Sequence, residues 1–210
     1  MAEENRAQTD RRELVAVILL AVTAILTAWT GFQASKWSGA MSISFSQASA
    51  ARIEAGRLEG TANRKQTIQV SLFTQWLDAY QGGDQELADF LEARFPEPLA
   101  TAFPQWVADE PLQNPDAAPT PFDMPSYVIP ELALAEQSDR RADERFARAL
   151  VYNQRGDNYT LLTVAFAVVL FLGALSGRMR QQRAQWLLLG VGAVGSLVLT
   201  GVLLSFPKLV

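Results

Sequence analysis

The chain has neither cysteine nor histidine. Disulfides, thiolate metal sites, thiol nucleophiles and the side chain most used as a general base near neutral pH are therefore all excluded. Without cysteine the redox compartment leaves no mark, so location must be read from topology. Charge is missing locally: Leu14 to Gly31, Tyr159 to Ser176 and Trp186 to Phe206 contain no Asp, Glu, Lys or Arg. Proton relays, voltage sensors and most ion pathways need an ionisable residue inside such stretches, which argues against a transporter. Proline is nearly absent outside one window, with nine of the ten lying between Pro96 and Pro130. No glycine-rich phosphate loop occurs, since Gly190-Val191-Gly192 sits inside an apolar run and Gly82-Gly83 reads as a helix stop.

The three uncharged runs are 18 to 21 residues long, close to the roughly 20 needed to cross about 30 Å of hydrocarbon as a helix. They predict transmembrane spans at 14–32, 159–176 and 186–206. Arg6, Arg11 and Arg12 precede the first span, and Arg178, Arg180 and Arg183 lie in the link between the second and third. Basic segments stay cytoplasmic. Residues 1–13 and 177–185 are thus expected inside, with 33–158 and the 207–210 tail outside. Lys36 and Arg155 oppose this polarity but can extend their charge to headgroups. Trp29, Trp37, Tyr159 and Trp186 fall at interfacial positions. A signal peptide cleaved at Ser38-Gly39-Ala40 is the competing reading of the first run. That run exceeds the usual signal core, however, and the cleavage site lies well past its end.

The outer segment 33–158 carries 11 basic and 18 acidic residues, a balance of 11 − 18 = −7 that repels nucleic acid. From Asp78 to Glu136 the acids face a single base, Arg94. Such a surface suits a cationic partner or a divalent ion, or simply solubility. Gln33 to Tyr80 has no proline and ends at Gly82-Gly83, predicting one long helix, or two collinear ones, continuing the first span. Phe73, Leu77 and Tyr80, beside Leu72 and Trp76, form its apolar stripe. The return helix starts at Pro130-Glu131, with Ala142, Phe146, Leu150 and Asn153 on one face and Glu136/Arg140 and Glu144/Arg148 as i,i+4 pairs. Between the two helices, 82–129 reads as a proline-rich cap. It opens with a short helix capped by Asp84 that presents Leu87, Phe90, Leu91 and Phe95. The aromatic residues Phe103, Trp106, Phe122 and Tyr127 predict an ordered loop. The ascending outer helix is longer than the return helix by about 30 Å at 1.5 Å per residue. The ascending helix therefore bends near Gly56 to Asn63, or the cap folds back along its upper part.

Small residues recur along the first span and beyond, at Ala24, Ala28, Gly31, Ser35 and Gly39, and in the third span at Gly192, Ser196 and Thr200. These faces permit close helix packing, within one chain or between copies. Thr23, Thr27 and Thr30 could line an oligomeric pore or bond to the preceding turn. Phe103, Trp106, Asp109, Phe122 and Tyr127 form a candidate binding surface on the cap. Acid pairs such as Asp84/Glu86, Asp89/Glu92, Asp109/Glu110 and Asp143/Glu144 sit in no catalytic motif, so neither an enzyme nor a bound cofactor or metal is expected.

The run from Ala28 to Gly39, AWTGFQASKWSG, followed by Leu72-Phe73-Thr74-Gln75-Trp76-Leu77, resembles segments of a family of uncharacterised bacterial inner-membrane proteins with three transmembrane helices and one long extracytoplasmic helical loop. The resemblance implies a bacterial plasma membrane and no activity. The expected architecture is an all-α membrane protein: three transmembrane helices, a long extracytoplasmic helical hairpin and a proline-rich cap. Its expected partners are the lipid bilayer and either further copies of itself or other membrane proteins. Its expected role is a scaffold or accessory subunit, with a ligand-sensing module or an oligomeric pore as alternatives. A sensor would need a separate output partner, because the predicted cytoplasmic segments are short.

Overall fold

The computed structural model describes the backbone of residues 2–111 and 113–209, and side chains from residue 12 onward within those bounds. The side chains of Arg6 and Arg11, and Val210 in the tail, lie outside the described residues. Among the described residues five helices form: α1 Ala2–Gly82, α2 Gln85–Glu92, α3 Leu99–Ala108, α4 Pro130–Ser176 and α5 Gln182–Ser205, with a 3₁₀ turn at Pro121–Asp123. Among the described residues there is no strand. By length and composition α1, α4 and α5 are each able to cross a membrane.

Local chemistry sets the boundaries. No proline interrupts α1, which runs unbroken past Gly56 to Asn63. It stops where Gly83 enters the left-handed region at φ 75°. There the Gly83 amide donates to the Tyr80 carbonyl at 3.2 Å and the Asp84 amide to the Ala79 carbonyl at 3.0 Å, the paired bonds of a Schellman termination. Asp84 then caps α2, its carboxylate accepting the Leu87 amide at 3.0 Å. Pro130 and Glu131 open α4, where proline loses no helical bond and the carboxylate meets the positive dipole end. Helix α5 begins at Gln182, so the link after α4 is shorter than the 177–185 segment expected.

The helices divide into two compact units, residues 1–46 with 145–210 and residues 47–144. In the first unit α1 and α4 run antiparallel. Thr163 donates to Thr30 at 2.8 Å, Trp37 lies 5.5 Å from Tyr152, and Phe45 meets Phe146 edge-on at 5.4 Å. A Cβ on Gly173 would come within 2.9 Å of the Leu20 Cδ2 methyl, so a larger residue there would have to push that side chain aside. Trp37, Tyr159, Leu162, Phe166 and Leu203 form the core. The fully buried Gln33 holds the Leu209 peptide from both sides, donating to its carbonyl at 3.3 Å and accepting its amide at 3.0 Å. Tyr159 donates to the Pro207 carbonyl at 3.1 Å. Outward faces remain apolar, with Ile25 69%, Leu161 70% and Leu197 73% exposed. Soluble proteins rarely leave so much apolar surface in contact with water.

The second unit pairs the upper part of α1 with the start of α4 through alanines spaced by seven. Ala48, Ala55 and Ala62 are buried on α1, and Ala135, Ser138 and Ala142 on α4. A seven-residue repeat keeps one face turned to its partner along a helix pair, and alanine brings the axes toward the lower end of the usual 8–10 Å range. Ion pairs flank the seam. Arg52 reaches Asp139 at 2.9 Å and Asp143 at 2.8 Å, and Lys65 meets Glu131. Exposed pairs of this kind contribute at most about 1 kcal/mol each and fix register rather than stability.

This seam corrects the expected apolar face of α4. Ala142 is buried, but Phe146 and Leu150 are about half exposed, because the buried positions follow the small residues and not the large ones. Of the two expected helix pairs, Arg140 binds Glu136 at 2.6 Å, whereas Glu144 and Arg148 do not pair. On α2 the buried side is Ala88 and Leu91, with Phe95 just beyond, while Leu87 and Phe90 are exposed. On upper α1 the buried stripe is Phe73, Trp76 and Ala79, leaving Tyr80 about half exposed.

Candidate functional site

Two features of the sequence invite a functional reading: the small-residue faces of the apolar helices and the aromatic segment 84–129.

The small-residue faces meet different fates. On α5, Gly192 lies against α1 and α4, and a Cβ there would stand 3.3 Å from Leu19 and 3.9 Å from Val169. Ser196 is buried and shares a 3.4 Å hydrogen bond with Thr23, and the Thr200 hydroxyl turns back to the Ser196 carbonyl at 2.7 Å. Packing inside the unit uses Gly192 and Ser196, while the Thr200 hydroxyl is satisfied within α5. On α1, by contrast, Ala24, Ala28, Ser35 and Gly39 are exposed and Gly31 is only partly covered. A Cβ added at Gly31 or Gly39 would meet nothing within 4 Å. The two halves of the predicted packing surface therefore do not come together: one is internal and the other is open.

The threonines of the first span face their own chain. Thr27 donates to the Thr23 carbonyl at 2.8 Å and Thr30 to the Thr27 carbonyl at 2.9 Å, as Ser and Thr commonly do inside apolar helices. Thr23 and Thr30 additionally join α1 to α5 and α4 through Ser196 and Thr163.

The aromatic segment folds back on α1. Gln69, almost fully buried, donates to the Glu97 carbonyl at 3.0 Å. Phe73 is the hub, 5.9 Å from Trp76, 5.5 Å from Trp106 and 5.6 Å from Phe122. Phe103 packs at 4.7 Å from Trp76 and 5.0 Å from Phe95. Each edge-on or offset pair adds about 0.5–1.5 kcal/mol beyond the area it buries. The Trp106 indole N–H donates to the Ala118 carbonyl at 2.8 Å, fixing α3 to the loop that follows it.

Of the five residues of the predicted binding surface, the structure brings only Phe103 and Trp106 to a shared cavity. Its volume is about 440 Å³, and its walls include Trp76, Tyr80, Glu92 and Glu110. Asp109 lies at the C-terminal end of α3 and outside the cavity lining. Phe122 and Tyr127 pair with each other at 5.1 Å against the core cluster, and burial pushes the Tyr127 phenol above its usual value. Trp76 and Tyr80 stack at 5.1 Å with planes 15° apart, a contact latent in their i,i+4 spacing on α1. Glu92 and Glu110 had no such signal, because they reach the cavity only through the return of α2 and α3 toward α1. Among the described residues no three carboxylates converge to hold a metal ion. The acidic centre of the sequence is thus dispersed in space.

No family model, curated protein or solved structure matches the chain.

Proposed function

We propose that this protein is a non-enzymatic scaffold or accessory subunit of a bacterial inner membrane, assembling through the open face of α1, with itself or in a larger membrane complex. The supporting observation is the contrast between the two small-residue faces. Gly192 and Ser196 are covered by neighbouring helices, whereas Ala24, Ala28, Ser35 and Gly39 are left bare. Between helices in lipid, van der Waals packing and close approach supply the attraction, and a bare row of small residues permits both.

In this reading unit two and the tail are extracytoplasmic, and both arginine-bearing segments are cytoplasmic. A contact in the first unit supports that polarity: Arg12 donates to Gln185 at 2.9 Å, drawing the N-terminal segment and the start of α5 to one end. At the other end Arg155, which opposes the charge bias, lies 4.7 Å over the Trp37 ring. Its charge is partly balanced there by the aromatic face. The aromatic cavity favours a second reading, an extracytoplasmic ligand- or cation-sensing module acting through a partner. An oligomeric pore has less support, since the threonine hydroxyls that would line it are engaged within the chain.

Light scattering on the detergent-purified protein tests the assembly. A fixed multiple of the protomer mass is expected, and Ala28→Leu with Gly39→Leu should return it to a single protomer. A Cβ at Gly39 meets nothing within 4 Å inside the protomer, and Ala28 is exposed, so these changes are not expected to disturb the protomer's own packing. Wild-type protein of protomer mass, or variants that assemble like wild type, would reject the scaffold.

A further inference from the structure

We propose that the cavity between α1, α2 and α3 is a binding site for a small organic cation, an alkylammonium or quaternary ammonium compound with an apolar body. The proposal rests on the cavity alone and holds whether or not the protein assembles through α1.

Four rings contribute to the wall: Trp76, Tyr80, Phe103 and Trp106. Aromatic faces carry negative charge density and attract cations, tryptophan most strongly. The Trp106 N–H is already spent on the Ala118 carbonyl, so this residue offers a ring and no hydrogen-bond donor. Tyr80 is 48% exposed and stacked on Trp76, leaving its outer surface free for a ligand.

Two carboxylates, Glu92 and Glu110, also line the wall, beside the neutral side chains of Gln85 and Gln113, and neither carboxylate has a salt bridge or side-chain hydrogen bond. Among the described residues no lysine or arginine lines the cavity. Arg94, the one base in this part of the sequence, stands 3.6 Å over the Phe90 ring and donates to the Phe90 carbonyl at 3.0 Å. The negative charge of the cavity is therefore uncompensated by the protein.

The lining also discriminates between ligands. An anion is repelled by the carboxylates, and a neutral apolar ligand would strip them of water with nothing in return. A metal ion needs about six oxygen ligands in close array, and the described residues offer no such cluster. A bulky ammonium group has low charge density and carbon-bound hydrogens that pack on rings, so it satisfies rings and carboxylates together. The volume of about 440 Å³ suits a small molecule. Glu110 stands at φ 50° because it terminates α3 in the left-handed conformation just past the C-cap Asp109.

Isothermal titration calorimetry on the full chain in detergent tests the assignment. The probes are choline and benzyltrimethylammonium, each set against its uncharged isostere with carbon in place of nitrogen. Saturable binding of an ammonium probe is expected, at least about tenfold tighter than its isostere, a difference of about 1.4 kcal/mol. Glu92→Gln with Glu110→Gln should weaken it about fivefold or more, and Tyr80→Leu should weaken it as well. Glu92 and Glu110 are exposed, so the double variant should keep the wild-type melting temperature, whereas Tyr80→Leu also loses the stack on Trp76 and is expected to melt somewhat lower. Glu110→Gly separates fold from site: it relieves the left-handed backbone and should preserve the melting temperature while lowering affinity. Equal binding of probe and isostere, a double variant that binds like wild type, or no saturable binding of either ammonium in the millimolar range would overturn the proposal.

Discussion

Replacing Ala142 by leucine tests whether the alanine seam sets the geometry of the second unit. Ala142 is fully buried, and the facing helix presents Ala48, Ala55 and Ala62, all buried as well. Leucine adds three carbons, which could gain about 0.8 kcal/mol each if burial were free. It is not free here: one layer of a seven-residue repeat cannot widen without moving the layers on either side. Overpacking a filled interface costs typically about 1–3 kcal/mol net. For a unit of about 100 residues each kcal/mol lowers the melting temperature by about 4–8 °C, giving an expected fall of roughly 4–24 °C. Trp76 and Trp106 lie in the core of this unit, so tryptophan emission in detergent follows its unfolding. The control is Ala133→Leu on the exposed side of the same helix, expected to change stability by no more than about 0.5 kcal/mol. If the Ala142 variant melts at or above the temperature of the Ala133 variant, the seam does not constrain the helices and the reasoning fails.

The Glu131 carboxyl is held below its usual value, first by the hydrogen bond from Lys65 and then by the backbone at the start of α4. A depressed carboxyl pKa contributes stability that is present above the ordinary carboxylate range and lost as pH falls through the depressed value. Glu131→Gln should therefore lower the melting temperature at neutral pH, with the gap to wild type closing as pH falls below the ordinary carboxylate range. A gap that widens in acid would contradict the assignment. Because the chain has no cysteine, an Asn114→Cys variant carries a single thiol at an exposed position. A membrane-impermeant maleimide should label it in intact cells. Labelling only after permeabilisation would place the second unit on the cytoplasmic side and end the proposed topology.

Much of the architecture was legible because it depends on neighbours in sequence. The uncharged runs give helices of membrane length, Pro130-Glu131 opens α4, Gly82-Gly83 closes α1, and Asp84 caps α2. Each of these follows from a backbone bond made or refused within a few residues. Which face of a helix is buried was less legible. On α4 the large side chains Phe146 and Leu150 suggested the core, yet the seam runs through Ala135, Ser138 and Ala142. Two helices that meet closely bury their smallest residues and push the largest to the rim, so burial there does not follow hydrophobicity. The small residues of the first and third apolar runs looked equivalent for a related reason. Only tertiary contact separates Gly192, packed on Leu19, from Gly39, which touches nothing.

The sequence by itself determined that the chain is helical, where α1 stops and α4 starts, and that three helices can cross a membrane, because these depend on local hydrogen bonding and on apolar length. Helix α3, which runs through Pro104 in the stretch expected as a loop, and the earlier start of α5 at Gln182 were not legible. The tertiary structure decided the rest. Phe103 and Trp106 join Trp76, Tyr80, Glu92 and Glu110 around one cavity although Phe122 and Tyr127 do not, because the path of the chain between Gly83 and Pro130 chooses which side chains return to α1. No periodicity within a single helix encodes that path.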